Sequence, residues 1–366
     1  MKRLGVAAAL VEDELIRGDV EISDGVISAV GISPAGRSGL AAPGFVDLQV
    51  NGFADVDFLS ADVEGYRHAG EALLATGVTA FQPTLVSAPI DTLVGAIEIA
   101  TKAGSEVRPR ILGVHLEGPF LAPKWKGAHD ERWIIPPDIN IAERLCLAGA
   151  VTTMTIAPEQ PSGLDLLRWL VAHGVVVSVG HTDADAATAH AAYDAGARTV
   201  THLHNAQRRF AARDPGISAV AMIRNDVTVE LIPDFVHLSR ETVRLAWLAA
   251  GDRLAVVTDA IAAAPRSTGE FRLGDRTILV SEDAARLPDG TLAGSVLSMD
   301  KAVRNLVELG IAIPQAVRAA TTVPARVLGR HDLATLRVGT VADVVVLDEA
   351  LHPVRTLRDG IEVWPG

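Results

Sequence analysis

Two kinds of hydrophobic segment alternate through the middle of this chain. Short runs rich in Val, Ile, Leu and Thr recur as Phe45–Val50, Val78–Leu85, Ile111–Glu117, Val151–Ala157, Val175–His181, Arg198–His202, Val227–Ile232 and Leu254–Asp259. Such runs read as buried strands. Between them lie Ala- and Leu-rich stretches with apolar positions on one helical face: Glu64–Thr76, Ile90–Ala103, Leu164–His173, Asp183–Ala195 and Arg240–Ala250. Strand–helix alternation of this kind predicts a parallel sheet. About eight such units in about 250 residues match an α/β fold of the (β/α)8 barrel type. A doubly wound open sheet is the alternative, but no Gly-x-Gly-x-x-Gly follows an early strand. The two ends of the chain differ from its middle. Leu4–Val11, Leu15–Ser23 and Val26–Val30 near the start, and Ala342–Asp348 and Arg355–Trp364 near the end, read as short strands with turns. They suggest one small β domain drawn from both termini. Phe271–Leu292 reads as a hairpin excursion, and Gly294–Leu309 and Ile313–Thr321 read as helices, with Gly294-Ser295 as a helix start.

Composition narrows the function. The chain has 366 residues, 49% hydrophobic and 21% charged, which is enough for one large core and a satellite domain. Its formal charge of -12 argues against a nucleic-acid partner. The single cysteine, Cys146, excludes an intrachain disulfide, fits a reducing compartment and reads as a helix-face packing residue. Glu12, Asp13 and Glu14 interrupt the apolar N-terminal run, which makes a poor signal peptide. No apolar run approaches the roughly 20 residues of a membrane span. A soluble, cytoplasmic enzyme without a membrane partner is the expectation.

The ends of the predicted strands carry the chemistry. In a barrel, active residues sit where strands leave the C-terminal face. Here Gln49 and Asn51 follow the first strand, Gln82 the second and Glu117 the third. His181 follows the fifth, His202 and His204 the sixth, Asp234 and His237 the seventh, and Asp259 the eighth. Glu117, His181 and His202 form a set of two imidazoles and one carboxylate suited to zinc or a similar ion with a position left for water. The plainer reading is strand capping or core hydrogen bonding, though a buried Glu117 needs a cation or a donor in either case. Asp259 is the candidate general base, with helix N-capping as its plain alternative. His129, in Lys126-Gly127-Ala128-His129, lies on a polar loop from which it could reach a substrate. His115 shares a strand face with Glu117 and reads as a supporting partner or a core residue. His204 shares a face with His202 and has the same two readings, or that of an alternative ligand. Arg213 follows the basic pair Arg208-Arg209 and reads equally as an anion clamp or a solvated loop residue.

Several motifs taken together resemble the N-acetylglucosamine-6-phosphate deacetylases of the amidohydrolase superfamily. They are Pro43-Gly44-Phe45-Val46-Asp47-Leu48-Gln49-Val50-Asn51-Gly52, His115-Leu116-Glu117-Gly118-Pro119-Phe120, Lys126-Gly127-Ala128-His129 and Gly180-His181-Thr182-Asp183-Ala184. Thr201-His202-Leu203-His204-Asn205-Ala206, Val257-Thr258-Asp259-Ala260 and Leu292-Ala293-Gly294-Ser295 complete the set. The resemblance spans nearly the whole chain. It implies a barrel over residues 45–322 and a β-sandwich from residues 1–44 and 323–366. It also implies metal-assisted hydrolysis of an acetamide to acetate and an amino sugar phosphate. By matching positions, Glu117, His181 and His202 would hold the metal. Asp259 would act as base and then acid, and His129 would steady the carbonyl oxygen. Asn205, the Ala206 backbone, His237 and Arg213 would hold the sugar phosphate, Arg213 by reaching in from a neighbouring subunit of a homodimer or homotetramer.

Where two-metal amidohydrolases carry His-x-His on the first strand, this chain has Gln49-Val50-Asn51, and no lysine ends the fourth. One divalent ion is therefore expected: zinc first, with iron, manganese or cobalt as alternatives. Gln49 and Asn51 remain weaker candidates for a second site or for substrate. Two departures bear on specificity: Gln207 stands where the family often has Met, and Phe235 where it often has Gly in Asp-Gly-x-His, so that Phe235 could narrow the pocket. Another N-acyl amino sugar, with or without phosphate, or a cyclic amide is the alternative substrate. A non-catalytic sugar-phosphate binder is the alternative class.

Overall fold

The computed structural model describes residues 1–265, 268–281 and 284–365. Eight parallel strands form a barrel: β1 (Phe45–Val50), β2 (Val78–Val86), β3 (Val114–Glu117), β4 (Val151–Ile156), β5 (Val176–Val179), β6 (Thr199–Val200), β7 (Thr228–Leu231) and β8 (Leu254–Val256). Each pairs with the next in chain order, from β1 through to β8. Closure happens just above β8. The Asp259 amide donates to the Gln49 carbonyl at 2.9 Å and the Asn51 amide to the Ala260 carbonyl at 2.7 Å. This seam brings two candidate site segments side by side.

The outer layer includes the helices Val63–Leu74, Ile90–Ala103, Ile139–Leu147, Gly163–Ala172, Ala186–Asp194, Gly216–Ile223 and Arg240–Ala250. Asp62, Asp138, Asp185 and Ser239 start four of them by accepting backbone N–H groups of the first turn. Their apolar faces and the outward strand residues share one large core. The barrel interior is polar instead. His115 Nε2 lies 2.8 Å from Thr155 Oγ1, Thr155 meets Thr201 at 2.7 Å and Thr201 meets Ser178 at 2.6 Å. The Thr155–Thr201 contact joins β4 to β6 across β5, which only inward-facing side chains can do. Burial lowers the His115 pKa to about 4, so its imidazole is neutral and can share hydrogen bonds with hydroxyls. Of its two readings, the interior structural one describes its position. Gln82 likewise lies within β2 and bonds Thr152 and Thr153.

Two further sheets are built from the chain ends, the first from both ends and the second from the N-terminal end alone. One orders Ile361–Trp364, Pro353–Arg358, Val344–Leu347, Leu40–Pro43, Ala8–Val11 and Glu14–Arg17; the other contains Lys2–Arg3, Asp19–Ser23 and Val26–Ile32. They enclose a separate small core that includes Val20, Ile27, Ala41, Val344 and Leu357.

The region after β8 departs from expectation. Phe271–Leu292 is more than a hairpin: Gly269–Leu273, Arg276–Ser281, Ala284–Arg286 and Leu292–Ser295 form a four-stranded antiparallel sheet over its own apolar cluster. Gly294-Ser295 does not start a helix. The Ser295 amide donates to the Asp259 carbonyl at 2.8 Å, and the Ile261 amide donates to the Ser295 carbonyl at 3.1 Å. These bonds hold the segment extended, and the helix begins later, at Met299–Glu308. Ile313–Ala319 follows as a helix where one was expected, and a further short helix, Thr322–Val327, comes directly after it. Cys146 is free and half-buried on the Ile139–Leu147 helix, packed against the main core.

Candidate active site

Three of the predicted strands stop short of their polar ends, and local geometry explains it. β5 stops at Val179, β6 at Val200 and β8 at Val256. His181 (φ 46°), His202 (φ 31°) and Asp259 (φ 50°) all occupy the left-handed region. None is glycine, so each conformation costs on the order of 1–3 kcal/mol and persists because the surroundings hold it. The chain is pinned on both sides of these turns: the Ala122 amide donates to the His181 carbonyl at 2.9 Å and the Leu203 amide to the Glu230 carbonyl at 2.8 Å. Glu117 ends β3 directly and is followed by Gly118 at φ 92°. A Cβ at Gly118 would come within 2.4 Å of Ser87 Oγ, so the turn away from Glu117 requires glycine.

These turns bring the side chains together. Glu117 Oε1 lies 3.2 Å from His181 Nε2 and 2.9 Å from His202 Nε2, and the two nitrogens are 3.1 Å apart. Glu117 Oε2 faces His129 Nε2 at 3.5 Å. All four residues are buried. Burial pushes the Glu117 carboxyl up, but hydrogen bonds from His129, His181 and His202 outweigh it and hold Glu117 well below the usual carboxylate range. Burial depresses His202, yet the bond to Glu117 raises it to about 9; burial keeps His129 low.

The geometry offers two metal triads that share Glu117 and His181. One is completed by His129, whose ligand atom lies within 4.8 Å of theirs; the other is completed by His202. Hydrogen bonding separates them. His181 Nδ1 lies 2.9 Å from the Trp125 carbonyl and must donate to it, which leaves the lone pair on Nε2. His129 Nδ1 accepts the Ser87 backbone N–H at 3.2 Å, so the hydrogen of a neutral His129 sits on Nε2. His129 therefore presents a donor to the cavity. His202 Nε2 converges on the same oxygen as His181, and no group donates to its Nδ1, so the ring can carry its hydrogen there and turn the Nε2 lone pair toward a metal. The donor set of one carboxylate and two imidazoles fits a divalent transition ion.

Asp259 stands on the other side of Glu117's amide neighbour. Gln49 Nε2 donates to Glu117 Oε1 at 2.9 Å and to Asp259 Oδ1 at 3.2 Å, and Asn51 Nδ2 donates to Asp259 Oδ1 at 2.7 Å. Both amides thus face the acids as donors, and neither bonds Asp259 Oδ2. Burial, then the Glu117 charge, raises the Asp259 carboxyl to about 6. Below the seam, Asp47 accepts from Thr258 Oγ1 at 2.6 Å, and burial raises its carboxyl to about 7.

A cavity of about 560 Å³ opens over this cluster, lined by Asn51, Glu117, His129, His181, His202 and Asp259 at its base. His204, Asn205, Ala206, Gln207 and His237 line it as well. His237 is held by Asp234, whose Oδ2 lies 2.7 Å from its Nδ1; burial raises Asp234, but this bond brings it below its ordinary value. His204 is half-buried, and burial lowers its pKa. Arg213 is exposed on the Ala211–Asp214 turn and is not among the residues lining this chain's cavity. Phe235 does not line it either. It takes φ 64°, the conformation glycine favours, and its ring packs on the Arg240 guanidinium at 4.1 Å. Gln207, the other departure, does line the cavity and is tied to Ser218 Oγ at 3.2 Å.

Several lining residues were not singled out as candidates: Lys124 and Trp125 from the loop after β3, Arg209 from the loop after β6, Arg286 from the inserted sheet and Thr291 from the turn before its last strand. Ser87, which orients His129, was missed as well. Arg208-Arg209 stood out only as a basic cluster; the others carry no spacing signal.

Comparison with known proteins identifies the family. The family model described as "Amidohydrolase family" matches residues 40–364. The N-acetylglucosamine-6-phosphate deacetylase of Lysinibacillus sphaericus is 32% identical, with 98% of this chain and 96% of that protein covered. The chain belongs to the amidohydrolase family, among the N-acetylglucosamine-6-phosphate deacetylases. The Bos taurus deacetylase is 36% identical, with 89% and 83% of the two chains covered. Among solved structures, a mutant of the Mycobacterium smegmatis deacetylase in complex with N-acetyl-D-glucosamine-6-phosphate superposes with a TM-score of 0.93 at 34% identity, covering 98% of each chain. The Thermotoga maritima deacetylase superposes with a TM-score of 0.92 at 34% identity over both full chains.

Proposed function

We propose that this chain is a metal-dependent amide hydrolase that converts N-acetylglucosamine 6-phosphate to glucosamine 6-phosphate and acetate. The observation that carries this reading is the meeting of Glu117, His181 and His202 around one point, with Asp259 beside them and His129 presenting an N–H to the same cavity. Glu117, His181 and His202 would hold a single divalent ion, for which zinc is the first choice and iron, manganese or cobalt the alternatives. Such an ion would supply Lewis-acid polarisation of the amide carbonyl and a lowered pKa for water, which eases its deprotonation to the nucleophile.

The remaining work falls to this chain's side chains. Asp259, with Oδ1 held by Gln49 and Asn51, takes a proton from the attacking water on Oδ2. The same oxygen then delivers the proton to the departing amine nitrogen. A carboxyl raised toward neutrality suits both tasks, since it must release and accept a proton at the working pH. His129, with Nδ1 held by Ser87, donates from Nε2 to the oxygen that gains negative charge. Asn205, the Ala206 backbone and His237 hold the sugar, and Arg213 of a neighbouring subunit meets the phosphate in a homodimer or homotetramer.

The two amides support one ion rather than two, because both face the acids as donors. Among the described residues no helix is long and apolar enough to cross a membrane. The lone Cys146, suited to a reducing compartment, supports a cytoplasmic place of action. The test is acetate release from phosphorylated and unphosphorylated N-acetylglucosamine, N-acetylmannosamine and N-acetylgalactosamine, with each metal added to metal-free protein. Turnover of the first phosphorylated sugar above the others supports the reading. Acetate from none of them, with stoichiometric metal bound, would overturn it.

A further inference from the structure

The cations lining the cavity are Lys124, Arg209 and Arg286, besides the imidazoles. Their surroundings are unequal. Lys124 is paired with Asp183, Nζ to Oδ2 at 2.9 Å, and Arg286 donates to the Gly290 carbonyl at 2.9 Å. No protein acceptor engages Arg209 among the described residues, and its side chain is exposed to the cavity and solvent. Its backbone, by contrast, follows a fixed segment. The Arg208 amide donates to the Thr182 carbonyl at 2.9 Å, and the Arg208 side chain is spent on Asp214 at 2.8 Å and on the Asp183 carbonyl at 2.8 Å. Gln207 is buried and tied to Ser218. Arg208 and Gln207 thus brace the strand-6 loop, and Arg209 is the guanidinium this brace delivers to the wall, on the same loop as Asn205 and Ala206.

We infer that Arg209 is a specificity-determining residue that binds the anionic phosphate of the substrate from within the same chain. This inference rests on the proposed deacetylase reading and adds to it an anion contact that does not depend on a neighbouring subunit. A guanidinium with its donors uncommitted can form paired hydrogen bonds to phosphate oxygens. The acids of the cavity, Glu117 and Asp259, lie at its base and are engaged there by His181, His202, Gln49 and Asn51, so the anionic end of a substrate belongs away from them.

Two readouts test this on the metal-loaded protein. In the first, kcat/KM is measured for N-acetylglucosamine 6-phosphate and for N-acetylglucosamine in wild type, Arg209→Ala, Arg209→Lys and Arg213→Ala. Arg209→Ala is expected to lower the phosphate preference, the ratio of the two values, by about tenfold or more, mainly through KM. Arg209→Lys should recover part of it, and the preference of Arg209→Ala should depend less steeply on salt. In the second, glucosamine 6-phosphate and glucosamine are titrated onto the same proteins, and Arg209→Ala should lose a similar share of the phosphate's binding advantage. Wild type that releases acetate from neither sugar would sink the deacetylase reading, while the titrations still judge Arg209. A kinetic ratio and a binding advantage both within about twofold of wild type in Arg209→Ala would overturn the inference. So would a loss confined to Arg213→Ala, which would assign the phosphate to the neighbouring subunit alone.

Discussion

Asp19 in the terminal sheets and Asp259 at the barrel mouth are both buried aspartates on strand-rich scaffolds, yet their surroundings have little in common. Asp19 Oδ1 accepts the backbone N–H groups of Val6 and Val20 at 3.0 and 2.8 Å, and Oδ2 accepts from Arg3 at 3.1 Å. Every oxygen is answered by the protein, and the residue ties a strand crossing together. Asp259 receives amides on one oxygen only and stands near the second acid Glu117. Its neighbours Gln49 Oε1, Asn51 Oδ1 and His202 Nδ1 are buried without a hydrogen-bond partner. Buried polar groups are ordinarily satisfied. Around Asp19 the protein itself answers both carboxylate oxygens, whereas the atoms around Asp259 keep hydrogen-bonding capacity that a bound group can use.

Stripping the metal would test that contrast most severely. Acetate release should fall to background on chelation and return on adding back about one equivalent of zinc, and His181→Ala should bind well under one equivalent. Full activity in metal-free protein would end the single-ion reading. Next in size is Asp259→Asn, expected to lower kcat by about 10²–10⁴ by removing the proton carrier. It should not lower the melting temperature. The carboxyl's usual value is 3.8 and its folded value about 6, so ionisation costs the folded state stability as pH rises through that interval. Turnover within about tenfold of wild type would remove Asp259 from its role.

A smaller, graded effect is expected with pH. Asp259 must be ionised to accept a proton, so kcat/KM should fall about tenfold per pH unit on the acid side. The midpoint should lie at or below about 6, since a bound cation favours the ionised carboxylate. An acid limb centred well above that value would assign it to another group. The smallest effect on activity, and the sharpest contrast, comes from the sheets: Asp19→Ala leaves two buried N–H groups unmet and should cost about 1–3 kcal/mol in denaturant unfolding. Turnover per folded molecule should stay the same; a matching loss of kcat would mean that the sheets and the mouth are not separable in this way.

The eight barrel strands and most of their helices were legible because hydrophobic periodicity is a local property. The first strand and the Ile90–Ala103 and Arg240–Ala250 helices lie where the pattern placed them. The residues Glu117, His181, His202 and Asp259 were legible as polar ends of apolar runs. The left-handed backbones of His181, His202 and Asp259 were not, because those conformations are imposed by contacts from distant segments such as Ala122 and Gln49. The error at Gly294-Ser295 has the same origin: a local helix-start signal lost to hydrogen bonds with Asp259 and Ile261.

Sequence alone therefore determined the α/β alternation, the chemistry available at the strand ends and the shortage of imidazoles on the first strand. All of these depend on residue type and short-range order. Only the tertiary structure decided which nitrogen of His129 and His181 faces the cavity, that Gln49 and Asn51 brace the two acids, that Phe235 lies off the cavity wall while Arg209 lies on it, and that Arg213 does not line its own chain's cavity. Those outcomes depend on hydrogen-bond partners far apart in the chain, and no local pattern records them.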